Sequence, residues 1–340
     1  MKIKVDAKEL YALFEDFVKG APVMFNFLID RNACAVQVID DYTVNTGLNY
    51  EIVELGSGRV DITVRFTKEV LIMAKEGDVI LYFTDETLLI SDGVFELQVL
   101  KEYEERREYP VISEDMLKPA YSNRLKYLVH SAIACVPMAK ELGITEPDPV
   151  FANGKFYCDY RQAFFIEHME FPEVCITFKT LRSFIFKLEE DAKYTYLKDN
   201  DVLVFVSGNY MFWIPVSNHN IDGATINAVT KKYMDCEDVT TICFKDLKDR
   251  LAIIPSAFPK MQVSFSVGEN EYSFVFNRSL SHFAIGTISK YLLSLKITTA
   301  QLGVIMKLFG DEDEVKIKRG GNCICLESKE KSMLIAGMIY

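Results

Sequence analysis

One order of patterns occurs three times in this chain, and each occurrence closes on a short apolar run. In the first, an amphipathic stretch Phe66–Ala74 leads through Lys75-Glu76-Gly77-Asp78 to apolar runs Val79–Phe83, Thr87–Ile90 and Val94–Leu100. In the second, Phe178–Leu188 leads through Glu189–Lys193 to Tyr194–Leu197, Val202–Val206 and Tyr210–Val216. In the third, Thr298–Phe309 leads through Gly310–Glu314 to Val315–Lys318, Cys323–Glu327 and Ser332–Tyr340. The copies end at Leu100, Val216 and Tyr340, 116 and 124 residues apart. A period of that size is a whole domain, not a solenoid unit. The chain is therefore expected to hold three tandem copies of one α+β domain.

The opening of each copy fits that expectation. Lys2–Val5 alternates as a strand. Asp6 is placed to cap a helix Asp6–Lys19, with Glu9 at the reciprocal capping position and Leu10, Leu13, Phe14, Phe17 and Val18 on one stripe. Two-residue alternation then predicts strands at Phe25–Ile29, Ala33–Ile39, Thr43–Tyr50 and Arg59–Phe66. In the second copy a helix Tyr121–Cys135 precedes strands at Phe151, Lys155–Tyr160, Ala163–His168 and Val174–Phe178. In the third a short helix Phe244–Ile254, limited by Pro255, precedes Met261–Val267, Tyr272–Asn277 and His282–Ser289. Each copy reads as β-α-β-β-β-β-α-β-β-β or close to it. An antiparallel sheet with both helices on one face is the economical packing, because each helix has one apolar stripe to bury. Abutting copies would join their sheets and leave an unpaired edge at each end, which closed symmetry removes.

At 49% apolar and 12% aromatic, 340 residues can bury several cores. The apolar runs are strand-length and broken by charge, so neither a transmembrane helix nor a membrane partner is expected. Met1–Asp6 lacks a secretory apolar region. The eight cysteines sit mostly within apolar runs without metal-ligand spacing, which predicts reduced, buried thiols in a cytoplasmic setting. The net charge of −11 argues against nucleic acid only as a monopole; basic residues gathered on a few helices would give the same sum.

Three segments carry a resemblance to a known family: Met1–Lys19, Ala33-Cys34-Ala35-Val36-Gln37-Val38-Ile39-Asp40-Asp41, and Leu334-Ile335-Ala336-Gly337-Met338-Ile339-Tyr340. Together with the threefold layout, they make the chain similar to the DNA sliding clamps, in the bacterial arrangement of three domains per chain closing as a dimer. The resemblance implies clamp domains at 1–108, 109–220 and 221–340. It implies a homodimeric ring around duplex DNA, held without sequence preference, that tethers a replicative polymerase and meets polymerase and clamp loader through short peptide motifs. No cofactor and no active site are implied. The family's partner groove would map to Ala336, Gly337, Met338 and Tyr340, facing Asp159 and Arg161. Bacterial clamps carry a Thr-Asp-Gly-His-Arg-Leu-Ala-like run there. Here the stretch is Cys158-Asp159-Tyr160-Arg161-Gln162-Ala163-Phe164, with only the Asp in place. That departure points to a different partner motif, as in a phage-encoded clamp in its host's cytoplasm or another divergent replisome.

A ring that slides needs sequence-independent charge aimed at phosphates, not base-edge hydrogen bonds. The candidate cations, all expected on inner helices, are Lys68 and Lys75; Lys118, Arg124 and Lys126; Lys179, Arg182 and Lys187; Lys245, Lys248 and Arg250; Lys296 and Lys307. On Phe178–Leu188 the stripe Leu181, Phe184, Ile185 and Leu188 leaves Lys179, Arg182 and Lys187 toward solvent, with no acid before Glu189. Enzyme chemistry finds little support. The four histidines are scattered, Gly56-Ser57-Gly58 and Gly320-Gly321 read as hairpin turns, and Cys323 and Cys325 share one strand face as core residues. The competing reading from another class is a clamp-like interaction scaffold that does not encircle DNA; a positive helix lining discriminates the two.

Overall fold

The computed structural model describes residues 1–18, 21–56, 58–104, 106–141, 149–159, 163–217, 228, 231–232, 235–245, 248–258, 261–278, 281–321, 323–329 and 331–336, with the side chains at 134–141, 159, 163–168, 256, 277–278, 281–282 and 336 outside that description. They form two compact units, Met1–Ser122 with Lys187–Pro215, and Asn123–Phe186 with Val216–Tyr340.

In the first unit, strand β1 (Lys2–Asp6) runs into helix α1 (Ala7–Phe17). Asp6 caps it by accepting from the Lys8 and Glu9 amides, but the Glu9 carboxylate reaches Asn49 instead of closing a reciprocal box. Strands β2 (Val23–Ile29), β3 (Cys34–Ile39), β4 (Thr43–Gly47), β5 (Tyr50–Glu54) and β6 (Val60–Phe66) follow. The single strand expected over Thr43–Tyr50 is thus two, and β5 leaves its neighbours to pair with β1. The helix expected over Phe66–Ala74 is a 3-10 turn, Lys68–Ile72. Val70 alone is buried within it, so no long apolar stripe holds a full helix there. Then come β7 (Asp78–Phe83), β8 (Thr87–Ser91) and β9 (Glu96–Glu102). The later part of the chain adds β10 (Lys118–Pro119), β15 (Lys193–Leu197), β16 (Val202–Ser207) and β17 (Tyr210–Pro215). All belong to one thirteen-stranded sheet, β10-β15-β16-β17-β4-β3-β2-β6-β9-β8-β7-β1-β5. Phe14 of α1 meets Phe25 and Phe66 edge-to-face at 5.4 and 4.7 Å. All three are fully buried, and each such ring contributes about 1.5–3 kcal/mol through removal from water.

In the second unit, helix α2 (Ser122–Glu141) precedes β11 (Val150–Ala152), β12 (Lys155–Asp159), β13 (Ala163–His168) and β14 (Val174–Cys175). Helix α3 (Phe178–Phe184) is capped by Thr177, whose hydroxyl accepts from the Thr180 amide at 3.2 Å, and ends in a 3-10 turn, Ile185–Lys187. Further on lie β18 (Glu237–Ile242), α4 (Lys248–Ala257), β19 (Gln262–Val267), β20 (Tyr272–Arg278), β21 (Ser281–Thr287), β22 (Leu293–Thr298), α5 (Thr299–Phe309), β23 (Val315–Gly320), β24 (Cys323–Glu327) and β25 (Lys331–Ala336). Strands β18 and β22 have no counterpart among the strands that the alternation predicts. Helix α4 lies later than the expected Phe244–Ile254, and Pro255 lies inside it. The capping box of α5, Thr298 with Gln301, was likewise unread. One sheet runs β14-β11-β12-β13-β25-β24-β23-β18 and another β21-β20-β19-β22.

Two neighbour orders recur in these sheets. The four-strand order is β6-β2-β3-β4, then β14-β11-β12-β13, then β22-β19-β20-β21. The other is β9-β8-β7-β1, then β17-β16-β15-β10, then β25-β24-β23-β18. Joints follow the same rule twice: β4 pairs with β17, and β13 with β25. The third member of that series, β21, is bonded only to β20 among the described residues. Likewise β9 meets β6 only at Thr63↔Glu102 and Val64↔Lys101, and its Leu100 is 72% exposed.

Candidate nucleic-acid interface

Where the expected cations lie decides what a phosphate backbone could meet. Lys68 sits exposed in the 3-10 turn, and the Lys75 ammonium stands 4.6 Å over the Tyr11 ring. Lys118 and Lys296 correct the expectation of helix positions: they lie on β10 and β22, both exposed.

Lys187 was expected in solvent and is half-buried. Its ammonium donates to the Asp16 carbonyl at 2.7 Å, lies 3.5 Å from the Tyr42 hydroxyl and stands 3.6 Å over the Phe17 ring. A cation there satisfies a carbonyl at the last turn of α1 and opposes the negative end of the helix dipole. Tyr210, at the start of β17, adds its ring to Phe17 and its hydroxyl to Asp16. Burial and the neighbouring Asp16 push that phenol up to about 12.

The acidic turn after α5 takes up two more candidates. Lys248 bonds Asp311 and Lys245 bonds Asp313 at 3.0 Å. The hydrogen bond from Lys248 holds the Asp311 carboxyl below the usual range, and the bond to Asp313 raises the Lys245 ammonium. Between these pairs, Lys331 donates to Glu312 at 2.8 Å, to the Leu308 carbonyl at 2.6 Å and to the Tyr127 hydroxyl at 2.7 Å. Lys331 is not among the cations expected from the sequence. Its side chain is 13% exposed, and nothing local in the sequence marks it.

Arg124 and Lys126 lie on α2, Lys179 and Arg182 on α3, Arg250 on α4 and Lys307 on α5. On α3 the buried residues Phe178, Leu181 and Phe184 face the core, which leaves Lys179 and Arg182 exposed. Lys307 and Arg250 are exposed as well. Of the expected partner groove, Asp159 ends β12 and Ala336 ends β25, in strands that flank β13, while Arg161, Gly337, Met338 and Tyr340 lie outside the described residues.

Among the described residues no cluster of three or more His, Cys, Asp or Glu side chains could hold a metal ion, and no helix is long and apolar enough to cross a membrane.

The fold matches that of solved bacterial beta clamps. A putative DNA polymerase III beta subunit from Eubacterium rectale superposes with a TM-score of 0.73 at 12% identity, covering 99% of each chain. The Helicobacter pylori beta clamp bound to a DNA ligase peptide gives 0.68 at 13%, covering 99% of this chain and all of that one. The beta subunit of Streptococcus pyogenes DNA polymerase gives 0.69 at 11%, with the same coverage. The chain thus has the sliding-clamp fold, at an identity where only structure carries the likeness. No family model and no curated protein sequence matches it.

Proposed function

We propose that this protein is a DNA sliding clamp, a homodimeric ring that encircles duplex DNA and tethers a replicative polymerase. The observation that carries the reading is the repeated joint, β4 to β17 and β13 to β25. A head-to-tail contact made twice within one chain, with the next acceptor strand β21 open among the described residues and the donor strand β9 held by β6 at two positions only, calls for the same contact between chains. Two chains with three clamp domains each, 1–108, 109–220 and 221–340, complete a closed set of these joints and pair the β21 edge. The ring is non-enzymatic and works in the cytoplasm, or in a host's cytoplasm if phage-encoded.

The DNA-facing charge is assigned foremost to Arg124, Lys126, Lys179 and Arg182, with Arg250 and Lys307 from the third copy. Lys187, Lys245 and Lys248 act mainly through their intramolecular partners. Polymerase and loader peptides are assigned to Asp159, Arg161, Ala336, Gly337, Met338 and Tyr340. The Helicobacter pylori neighbour, solved with a DNA ligase peptide, supports that kind of partner.

Sedimentation tests the ring. The expected particle has twice the 38.9 kDa chain mass. It should be retained on circular duplex DNA and lost on linearisation, and Lys179→Glu with Arg182→Glu should weaken retention. A strict monomer at micromolar concentration that is never retained on circular DNA would leave the interaction-scaffold reading in its place.

A further inference from the structure

Helices α2 and α3 carry aromatic rings at exposed positions, beside exposed cations on α3 and half-buried ones on α2. Phe186, in the 3-10 turn that ends α3, is 40% exposed, and its ring centroid lies 4.7 Å from that of His130 on α2, tilted by 52°. His130 is itself exposed. Lys126 stands one turn before His130, and Arg182 one turn before Phe186, with Lys179 a further turn back. No Asp or Glu occurs from Ser122 to Lys140 or from Phe178 to Lys187. The fold does not require an outward Phe here, since Leu181, Phe184 and Ile185 already supply the buried stripe.

We propose that Phe186 and His130 form a stacking platform for an unpaired DNA base, with Lys126, Lys179 and Arg182 holding the flanking phosphates. Sequence-tolerant single-strand binding combines these two parts: cations that track the backbone and a ring on which a base can stack. In a duplex the base faces are covered by their neighbours, so the platform gains its contact only where a base is unstacked. The inference rests on the clamp reading and deepens it. The ring would slide on duplex but dwell where double-stranded DNA gives way to single-stranded template, the place where a polymerase must be held.

The test compares fluorescence anisotropy of the full-length protein on labelled oligo(dT) and on a hairpin duplex of equal length. The wild type is expected to bind oligo(dT) more tightly. Phe186→Leu should lose roughly fivefold or more of that affinity, because each stacked base is sensitive to loss of the ring. Duplex affinity should not change, and Phe186→Tyr should restore oligo(dT) binding because it keeps the ring. Ultraviolet crosslinking to oligo(dT) should map to Phe186 or His130, a readout that a merely structural role would not give. Equal affinity of the wild type for the two ligands, binding to neither, unchanged oligo(dT) binding by Phe186→Leu, or equal weakening on both ligands would each overturn the platform. Retention on circular duplex reads the clamp separately. Loss of retention with intact, Phe186-dependent oligo(dT) binding would refute the ring and keep the platform; the converse would do the opposite.

Discussion

Lys331→Met isolates one ammonium from a network that joins α2, the end of α5 and β25. Methionine keeps most of the side chain's apolar length, so the change removes charge and three hydrogen-bond donations with little loss of packing. What is lost are the bonds to Glu312, the Leu308 carbonyl and the Tyr127 hydroxyl, at 2.6–2.8 Å around a side chain only 13% exposed. Hydrogen bonds to charged groups contribute about 1.5–3 kcal/mol, and stranding one partner of a buried pair costs about 3–5 kcal/mol. Glu312 is 31% exposed and regains water, so the lower part of that range applies, about 2–3 kcal/mol. Hydrogen exchange read by mass spectrometry should show α5 and β25 exchanging roughly 30- to 150-fold faster in the variant, the same energy expressed as a rate ratio. The only tryptophan, Trp213, lies on β17 in the first unit, so its fluorescence midpoint should hold. At Lys331, burial alone would lower the ammonium's pKa, but hydrogen bonds to Glu312 and Tyr127 outweigh it and the net shift is upward from 10.5. A cation raised on folding stabilises fully below its unfolded pKa and loses that contribution as pH rises through the folded one. The gap between wild type and variant should therefore stay constant from neutral pH to about 10 and close above it. Exchange in α5 and β25 unchanged by the substitution would refute the assignment.

Lys187→Met should act in the other unit. Losing the ammonium from the Asp16 carbonyl and the Phe17 ring should lower the Trp213 unfolding midpoint by an amount worth about 1–2 kcal/mol, as for a cation at a partly buried helix C-terminus; an unchanged midpoint would show that the contact contributes nothing. Gly320→Ala would place a Cβ 2.5 Å from the Cys236 sulfur and 3.4 Å from that of Cys323, an overpacking worth about 1–3 kcal/mol. Adding Cys236→Ala should recover most of that loss in urea unfolding followed by circular dichroism, and failure to recover it would place the strain in the backbone.

Repetition was the most legible property of the fold because it is encoded locally, in the alternation of apolar residues and in the turns that interrupt it. Cys323–Glu327 and Ala163–His168 match their strands residue for residue, and the buried stripe of α3 is the one its spacing gives. What escaped was set by partners far along the chain. Thr43–Tyr50 reads as one alternating run, yet Tyr50–Glu54 leaves it to pair with β1, a choice made by a strand more than forty residues away. Phe66–Ala74 has helical spacing, but Phe66 is taken up by β6 and within Lys68–Ile72 only Val70 is buried, so the segment yields one 3-10 turn.

The candidate cations divide along the same line. Lys187 and Lys307 look alike in sequence, each near the end of an amphipathic helix. Lys187 is claimed by a carbonyl 171 positions earlier, and Lys245 by a carboxylate 68 positions later, while Lys307 stays exposed. A lysine's role is decided by which oxygen the fold brings within its reach, and no spacing rule gives that. The lack of acids along Ser122–Lys140 and Phe178–Lys187 is different, because it can be read directly from the sequence. Carboxylates would repel phosphates wherever they stood on these helices, so their absence is the part of the proposed interface that sequence alone could deliver. It falls on the two helices where the structure also exposes Lys179, Arg182, His130 and Phe186, which is why the DNA experiments belong there first.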